Sequence, residues 1–280
     1  MLADPRLPAL DFARPPGEPA LTAPDSVSWR IFRNPVALFV GGVAAVILEL
    51  AEPAVRSGVW EHSSFRRDPV ARLRRTGLAA MVTVYGARSV AEAMIAGVVR
   101  AHGRGTGHTP SGEAYRADDP ALLRWVQATA VWGFAEAYGR YVGRLGAEDL
   151  SRAFAEGVPA ARLYGVEEPP ASWAEWEALL DAMRDRLEPS PILREFLDVM
   201  RDAPALPGPL RPVQRLMVRG AVAIVPGRVR ARLRLGPGLR AGEAFLLRAL
   251  GRAAERIDLP SSPPAQALKR LEPSGGALER

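Results

Sequence analysis

Apolar residues return every three or four positions over most of the chain, which is the spacing of one face of an α-helix. The runs marked in this way span roughly 28–50, 69–101 with a break at Gly86, 120–144, 147–163, 172–187, 190–202, 211–223 and 241–256. Alternation with a period of two is scarce, so the pattern predicts an all-α, single-domain helical bundle. Several helix starts carry their own chemistry. Asp68-Pro69 and Asp119-Pro120 each place a capping carboxylate before a proline at the first helical position. Ser172 precedes Glu175 by three residues, the spacing of a capping box.

Outside these runs the periodicity stops. Residues 1–25 are rich in proline and read as an irregular arm, residues 26–258 as the helical domain, and residues 259–280, with proline, serine and glycine, as a flexible tail. The most apolar stretch, PVALFVGGVAAVILEL at 35–50, falls short of the roughly 20 residues that a bilayer span needs and carries Gly41-Gly42 and Glu49. It reads as a buried core helix, without stable membrane insertion. The start of the chain lacks a basic segment followed by an apolar one, so no secretory signal is read and a cytoplasmic location is expected.

Composition then removes whole classes of chemistry. With no cysteine among its 280 residues, the chain cannot form disulfides, thiolate metal sites or a cysteine nucleophile. The net charge of +6 raises the question of nucleic acid. The arginines, however, are spread from Arg6 to Arg280 without interleaved aromatics, and Lys269 is the only lysine, so no nucleic-acid partner is expected. The densest basic run, 225–240, reads as a solvated loop.

Three places could carry chemistry. The three histidines are His62, His102 and His108. Val99, Val98 and Ile95 stand three, four and seven residues before His102, so its imidazole falls on the apolar stripe of the helix. It is either a core histidine with a satisfied hydrogen bond or a ligand. Gly103, Gly105 and Gly107, which follow at once, would let a flat ligand or another backbone come close. Arg72, Arg75 and Thr76 stand at i, i+3 and i+4, gathering two guanidinium groups and a hydroxyl on one side of a helix. This is either a solvated basic face or a holder of an anion or a developing oxyanion. Gln127 is a polar exception within an apolar helix, where most glutamines bond a backbone group. Glu61-His62 offers an acid and a base, although neighbours on a helix point apart; His108 falls in a loop expected to be mobile. HExxH, P-loop and nucleophile-elbow patterns are absent.

The order of segments is more informative than any one of them. LFVGGVAAVILELAEPAVRSGVWEHSSFRRDPVARLRRT, then HGRGTG, then GEAYRADDPALLRWVQAT, covering about 36–176, resembles the DUF2236 family of latex-clearing rubber oxygenase and MpaB-type oxygenase catalytic domains. The resemblance implies a helical bundle around a buried, haem-containing cavity. Haem b, with its iron, would be ligated by His102 through Nε2, with an acceptor on Nδ1. Gly103 and Gly105 would make room for the macrocycle, beside Gln127. It also implies reaction of O2 with a small apolar substrate, isoprenoid or otherwise unsaturated. Arg72, Arg75 and Thr76 then correspond to the family's group near the distal face, and Glu61 is the candidate base. Where the family pattern has two histidines and a lysine, this chain has Glu52, Gln127 and Arg75; His102 is intact. A haem-free enzyme using Glu52, Gln127 and the arginines in a non-redox step, or a carrier of a hydrophobic ligand, are the alternatives.

Overall fold

In the computed structural model, which describes residues 10–62, 65 and 67–272, the most apolar run of the sequence becomes the central helix. This is α2 (Pro35–Ala51), preceded by α1 (Val27–Phe32) and followed by α3 (Pro53–His62), α4 (Pro69–Tyr85) and α5 (Arg88–His102). A short hairpin, β1 (Thr106–His108) with β2 (Ala114–Arg116), leads into α6 (Pro120–Tyr141), α7 (Ala147–Leu163), α8 (Trp173–Met183) and α9 (Pro191–Asp202). A 3₁₀ turn (Gly208–Leu210), α10 (Arg211–Ile224), α11 (Gly227–Arg232), α12 (Glu243–Glu255) and α13 (Pro263–Leu271) complete the chain. The all-α class and the break at Gly86 agree with the periodicity.

α2 packs along α6, and the crossing is made of glycine. A Cβ on Gly41 would lie 2.6 Å from the Gly133 carbonyl oxygen, and one on Gly133 2.4 Å from that of Gly41, so the two backbones touch where no side chain intervenes. Trp125 and Trp132 of α6 stack on Trp176 of α8 at centroid distances of 5.8 and 5.6 Å, extending the core away from α2. No single helix among the described residues is long and apolar enough to cross a membrane, and α2 lies within this core.

The caps act as read: Asp68 accepts from Ala71 N, Asp119 from Ala121 N and Leu122 N, and Ser172 from Glu175 N. The expected helix over 28–50 is two helices, because Asn34 accepts from Val36 N and Ala37 N and starts α2 afresh at Pro35. The basic run at 225–240 is not all loop. It contains α11, with Val229 and Leu233 buried, and Arg232 Nε donates to the Leu187 carbonyl at 2.6 Å.

The stretch read as a flexible tail holds α13, and α13 grips the N-terminal arm. The buried Arg270 donates to the carbonyls of Phe12 (2.5 Å) and Glu18 (2.7 Å), while Gly17 N donates to the Arg270 carbonyl and Phe12 N to Gln266 Oε1. The arm in turn secures α5, which has no side-chain cap of its own. Glu18 accepts from Ser89 N and Ser89 Oγ, placing a carboxylate at the positive end of the helix that bears His102. The other residues of these terminal segments, 1–9 and 273–280, lie outside the described residues.

Candidate active site

Four helices bring the polar groups together: α2 supplies Glu49, α4 Arg72 and Thr76, α5 His102, and α6 Thr129. The N-terminal two-thirds of α4 and the last turns of α5 have no fully buried residue, and apolar side chains such as Leu73, Val98, Val99 and Leu123 are only half-covered. These stretches of α4 and α5 are therefore less tightly covered than the sealed contact of α2 with α6.

Glu49 is the carboxylate of this region. Its Oε1 accepts from Thr129 Oγ1 at 3.4 Å, and Thr129 also donates to the Val126 carbonyl. Burial pushes the Glu49 carboxyl up to about 7, with the charge of Arg72 and the Thr129 hydroxyl pulling it back. Arg72 is half-buried; its Nη1 donates to Thr76 Oγ1 at 2.6 Å, and Thr76 Oγ1 donates back to the Arg72 carbonyl at 3.0 Å. The i, i+4 spacing thus sets the guanidinium on a hydroxyl, as a helix requires. Arg75, one residue before Thr76, is exposed.

His102 ends α5, half-buried. Burial lowers its pKa from the ordinary 6.5, Arg72 lowers it further and Asp118 raises it, so the ring is neutral at pH 7. Its Nδ1 is sealed from solvent and has no hydrogen-bond partner among the described residues, so the acceptor expected there is not present. On α6, Arg124 Nε and Gln127 Oε1, three residues apart, are likewise buried without partners. Gln127 does not bond a backbone group through that oxygen, and its Nε2 lies against Gly157 of α7.

The remaining expectations fall elsewhere. A Cβ on Gly105 would meet Ala117 Cβ at 2.8 Å and one on Gly107 the Tyr115 hydroxyl at 2.6 Å, so these two glycines admit the returning strand of the hairpin. Gly103 is exposed with only ordinary contacts around it. Glu61 is exposed and accepts from the Tyr115 hydroxyl at 3.0 Å, and His62 Nε2 lies 3.2 Å from the Thr106 carbonyl, so both hold α3 to the hairpin. His108 sits on β1, exposed.

Glu52 is removed from any pocket. Fully buried, it ends α2 and starts α3: one carboxylate oxygen accepts from Val55 N at 2.7 Å, the other from Arg186 at 2.7 and 3.3 Å. An imidazole at this position could not take the Val55 N–H and a guanidinium at once, so the carboxylate is matched to both partners. The group that sequence reasoning missed was Glu49. Its signal was there, a lone carboxylate inside the most apolar run of the chain.

With this arrangement in place, comparison supplies the class of protein. Residues 29–256 match the family described as ER-bound oxygenase mpaB/B'/Rubber oxygenase, catalytic domain, and the chain belongs to that family. The match runs from Trp29 in α1 to the residue after α12 and contains every residue of the site. Membership gives an oxygenase-type enzyme. No curated protein and no solved structure matched the chain.

The residues suit a haem by one test. The neutral ring keeps Nε2, the nitrogen expected to meet iron, without a protein partner among the described residues, whereas the sealed Nδ1 lacks the acceptor that would orient the ring. Among the described residues, no group of three or more histidine, aspartate or glutamate side chains gathers to hold a metal ion, so His102 would act alone.

Proposed function

We propose that this chain is a haem b-dependent oxygenase that reacts O2 with a small apolar, unsaturated substrate of isoprenoid type. The supporting observation is a neutral His102, close enough to Arg72 to feel its charge and with Nε2 free of protein partners among the described residues, in a chain of the mpaB/rubber oxygenase family. Bound haem would supply the means of activating O2, with His102 holding the iron.

The remaining residues divide the other tasks. Arg72, fixed by Thr76, presents a guanidinium at the apolar region, where it can donate to oxygen that gains negative charge. Glu49, titrating close to neutrality, can take or return a proton at its carboxylate oxygens, a role that fits it better than the hairpin-bound Glu61. Gln127 Oε1 is free to accept from a bound molecule. The half-covered leucines and valines would exclude water and hold an apolar chain.

Glu49 also favours a second reading, a haem-free enzyme running acid–base chemistry on an apolar substrate. That reading no longer has Glu52, which is committed to Arg186 and α3.

A visible spectrum separates the two. Protein produced with ample haem precursor is expected to show a Soret band that His102→Ala loses and His108→Ala keeps. Colourless wild-type protein that takes up no added haemin would overturn the haem reading and leave the haem-free enzyme.

A further inference from the structure

α12 has two apolar faces, and only one of them is covered. Leu247 and Gly251 are buried against the bundle, with a Cβ on Gly251 blocked at 2.3 Å by the Tyr141 carbonyl oxygen. On the other side Phe245 is 71% exposed and Leu246 56%, and Ile257 and Leu259, just past the helix end, are 60% and 56% exposed. At 100° per residue, Phe245, Ala249, Ala253 and Leu246 fall within one arc of about 100°, with Ile257 and Leu259 following just past the helix end. Exposed large apolar groups at both ends, joined along the helix by the exposed Ala249 and Ala253, make a larger apolar surface than the isolated surface leucine of most proteins.

The charges along this arc are all of one sign. Arg248 and Arg252 lie on one side of it and Arg256, at i+8, just inside that edge, and all three are exposed. Arg252 and Arg256 have no ion pair among the described residues, and Arg248 only donates to the Arg140 carbonyl. The helix's two carboxylates are turned away. Glu243 takes Arg219 at 2.6 Å and Arg240 N, and Glu255 takes Asn34 and the Tyr138 hydroxyl. Asp258, beyond the helix, is the nearest exposed acid.

We propose that this outer face of α12, with Ile257 and Leu259, docks the protein peripherally on an anionic lipid surface. Phe245, Leu246 and Ile257 would enter the acyl boundary and the three arginines would reach the headgroups. A convex helix with an apolar arc and a basic border is the form that an interface accepts, since long arginine side chains can lie along apolar surface with their charge outward. A second copy of the chain would instead set one row of arginines against another. The proposal does not rest on the reaction above, because it uses none of the site residues.

Flotation with vesicles tests it. Wild-type protein should bind vesicles of equal parts phosphatidylcholine and phosphatidylglycerol, should bind pure phosphatidylcholine at least about fivefold more weakly, and should be released by raised salt. Arg252→Glu should weaken binding by about fivefold or more, and Phe245→Ser by about tenfold. Both positions are exposed, so the fold does not depend on them. The proposal is overturned if wild-type protein ignores the mixed vesicles, or if both variants bind as wild type does. It is equally overturned if the protein is a dimer that Phe245→Ser dissociates while vesicle binding is absent, which would make the face a contact between copies.

Discussion

Glu49 of α2 and Arg72 of α4 lie close enough for each to shift the ionisation of the other without a salt bridge joining them. The guanidinium lowers a carboxyl that burial has raised to about 7, and the carboxylate supports a guanidinium that burial has weakened. The pair is not a sealed ion pair, because Arg72 is also engaged by Thr76 and is close enough to His102 to oppose its protonation.

The raised carboxyl makes stability depend on pH. Between the ordinary value of 4.5 and about 7, the unfolded chain has released this proton while the folded chain still holds it. Stability therefore falls as pH rises through that window. Glu49→Gln should abolish this fall, gaining on wild type between pH 5 and 8 by about 3 kcal/mol at most. Thermal melts at several pH values check it, and parallel curves for the two proteins would disprove it.

Arg72→Ala should lower turnover about a hundredfold, on the order of 3 kcal/mol in the barrier, while haem content stays near that of wild type. Oxygen uptake with a short polyisoprene oligomer measures the first and the Soret absorbance the second. Unchanged turnover would return Arg72 to the solvated surface. The same variant should move the Glu49 carboxyl still higher, since Arg72 is what draws it down.

Arg186→Ala leaves the fully buried Glu52 with only its helix cap and should cost about 2 kcal/mol, the exposed side of Arg186 letting water replace part of what is lost. In the double variant with Glu52→Gln the loss should be smaller than the sum of the two single losses, because the uncompensated charge is gone. Chemical denaturation supplies all four corners of the cycle; strict additivity would show that the two residues do not act together.

Gly41→Ala sets two effects against each other. Alanine favours a helix over glycine by about 1 kcal/mol, but its Cβ would meet the Gly133 carbonyl at 2.6 Å, a rigid backbone atom that cannot turn aside. α2 and α6 must part, so a net loss of about 2 kcal/mol is expected in denaturant melts. A stabilised variant would mean that the crossing is looser than this.

The helices were legible because their faces repeat locally, and the capped ones doubly so. The break at Asn34 was hidden, since Ile31, Phe32 and Val36 continue the apolar spacing across it, although Asn34-Pro35 carries the same cap-and-proline signal as Asp68-Pro69. α13 was lost to composition: its anchor is Arg270, a residue type that is almost always at the surface. The contact of Arg72 with Thr76 was legible from their i, i+4 register. Glu49 was visible in the sequence only as a charge that disfavoured a membrane span, and its meaning arises when the fold brings Arg72 and Thr129 near it. The glycines after His102 drew attention for a good reason, close approach, but what approaches is Ala117 and Tyr115.

The clasp between α13 and the arm sets an order of events during synthesis. Phe12 and Arg270 are 258 positions apart, so the segment made among the first cannot be fastened until one of the last has left the ribosome. Until then the arm is joined to the start of α5 by the bonds of Glu18 with Ser89 and of Arg88 N with the Pro19 carbonyl, without the grip of Arg270 on the Glu18 carbonyl. The helix that bears His102 therefore receives its final restraint from the far end of the chain, and a nascent chain stalled before Arg270 would hold α5 without the tether that steadies its start.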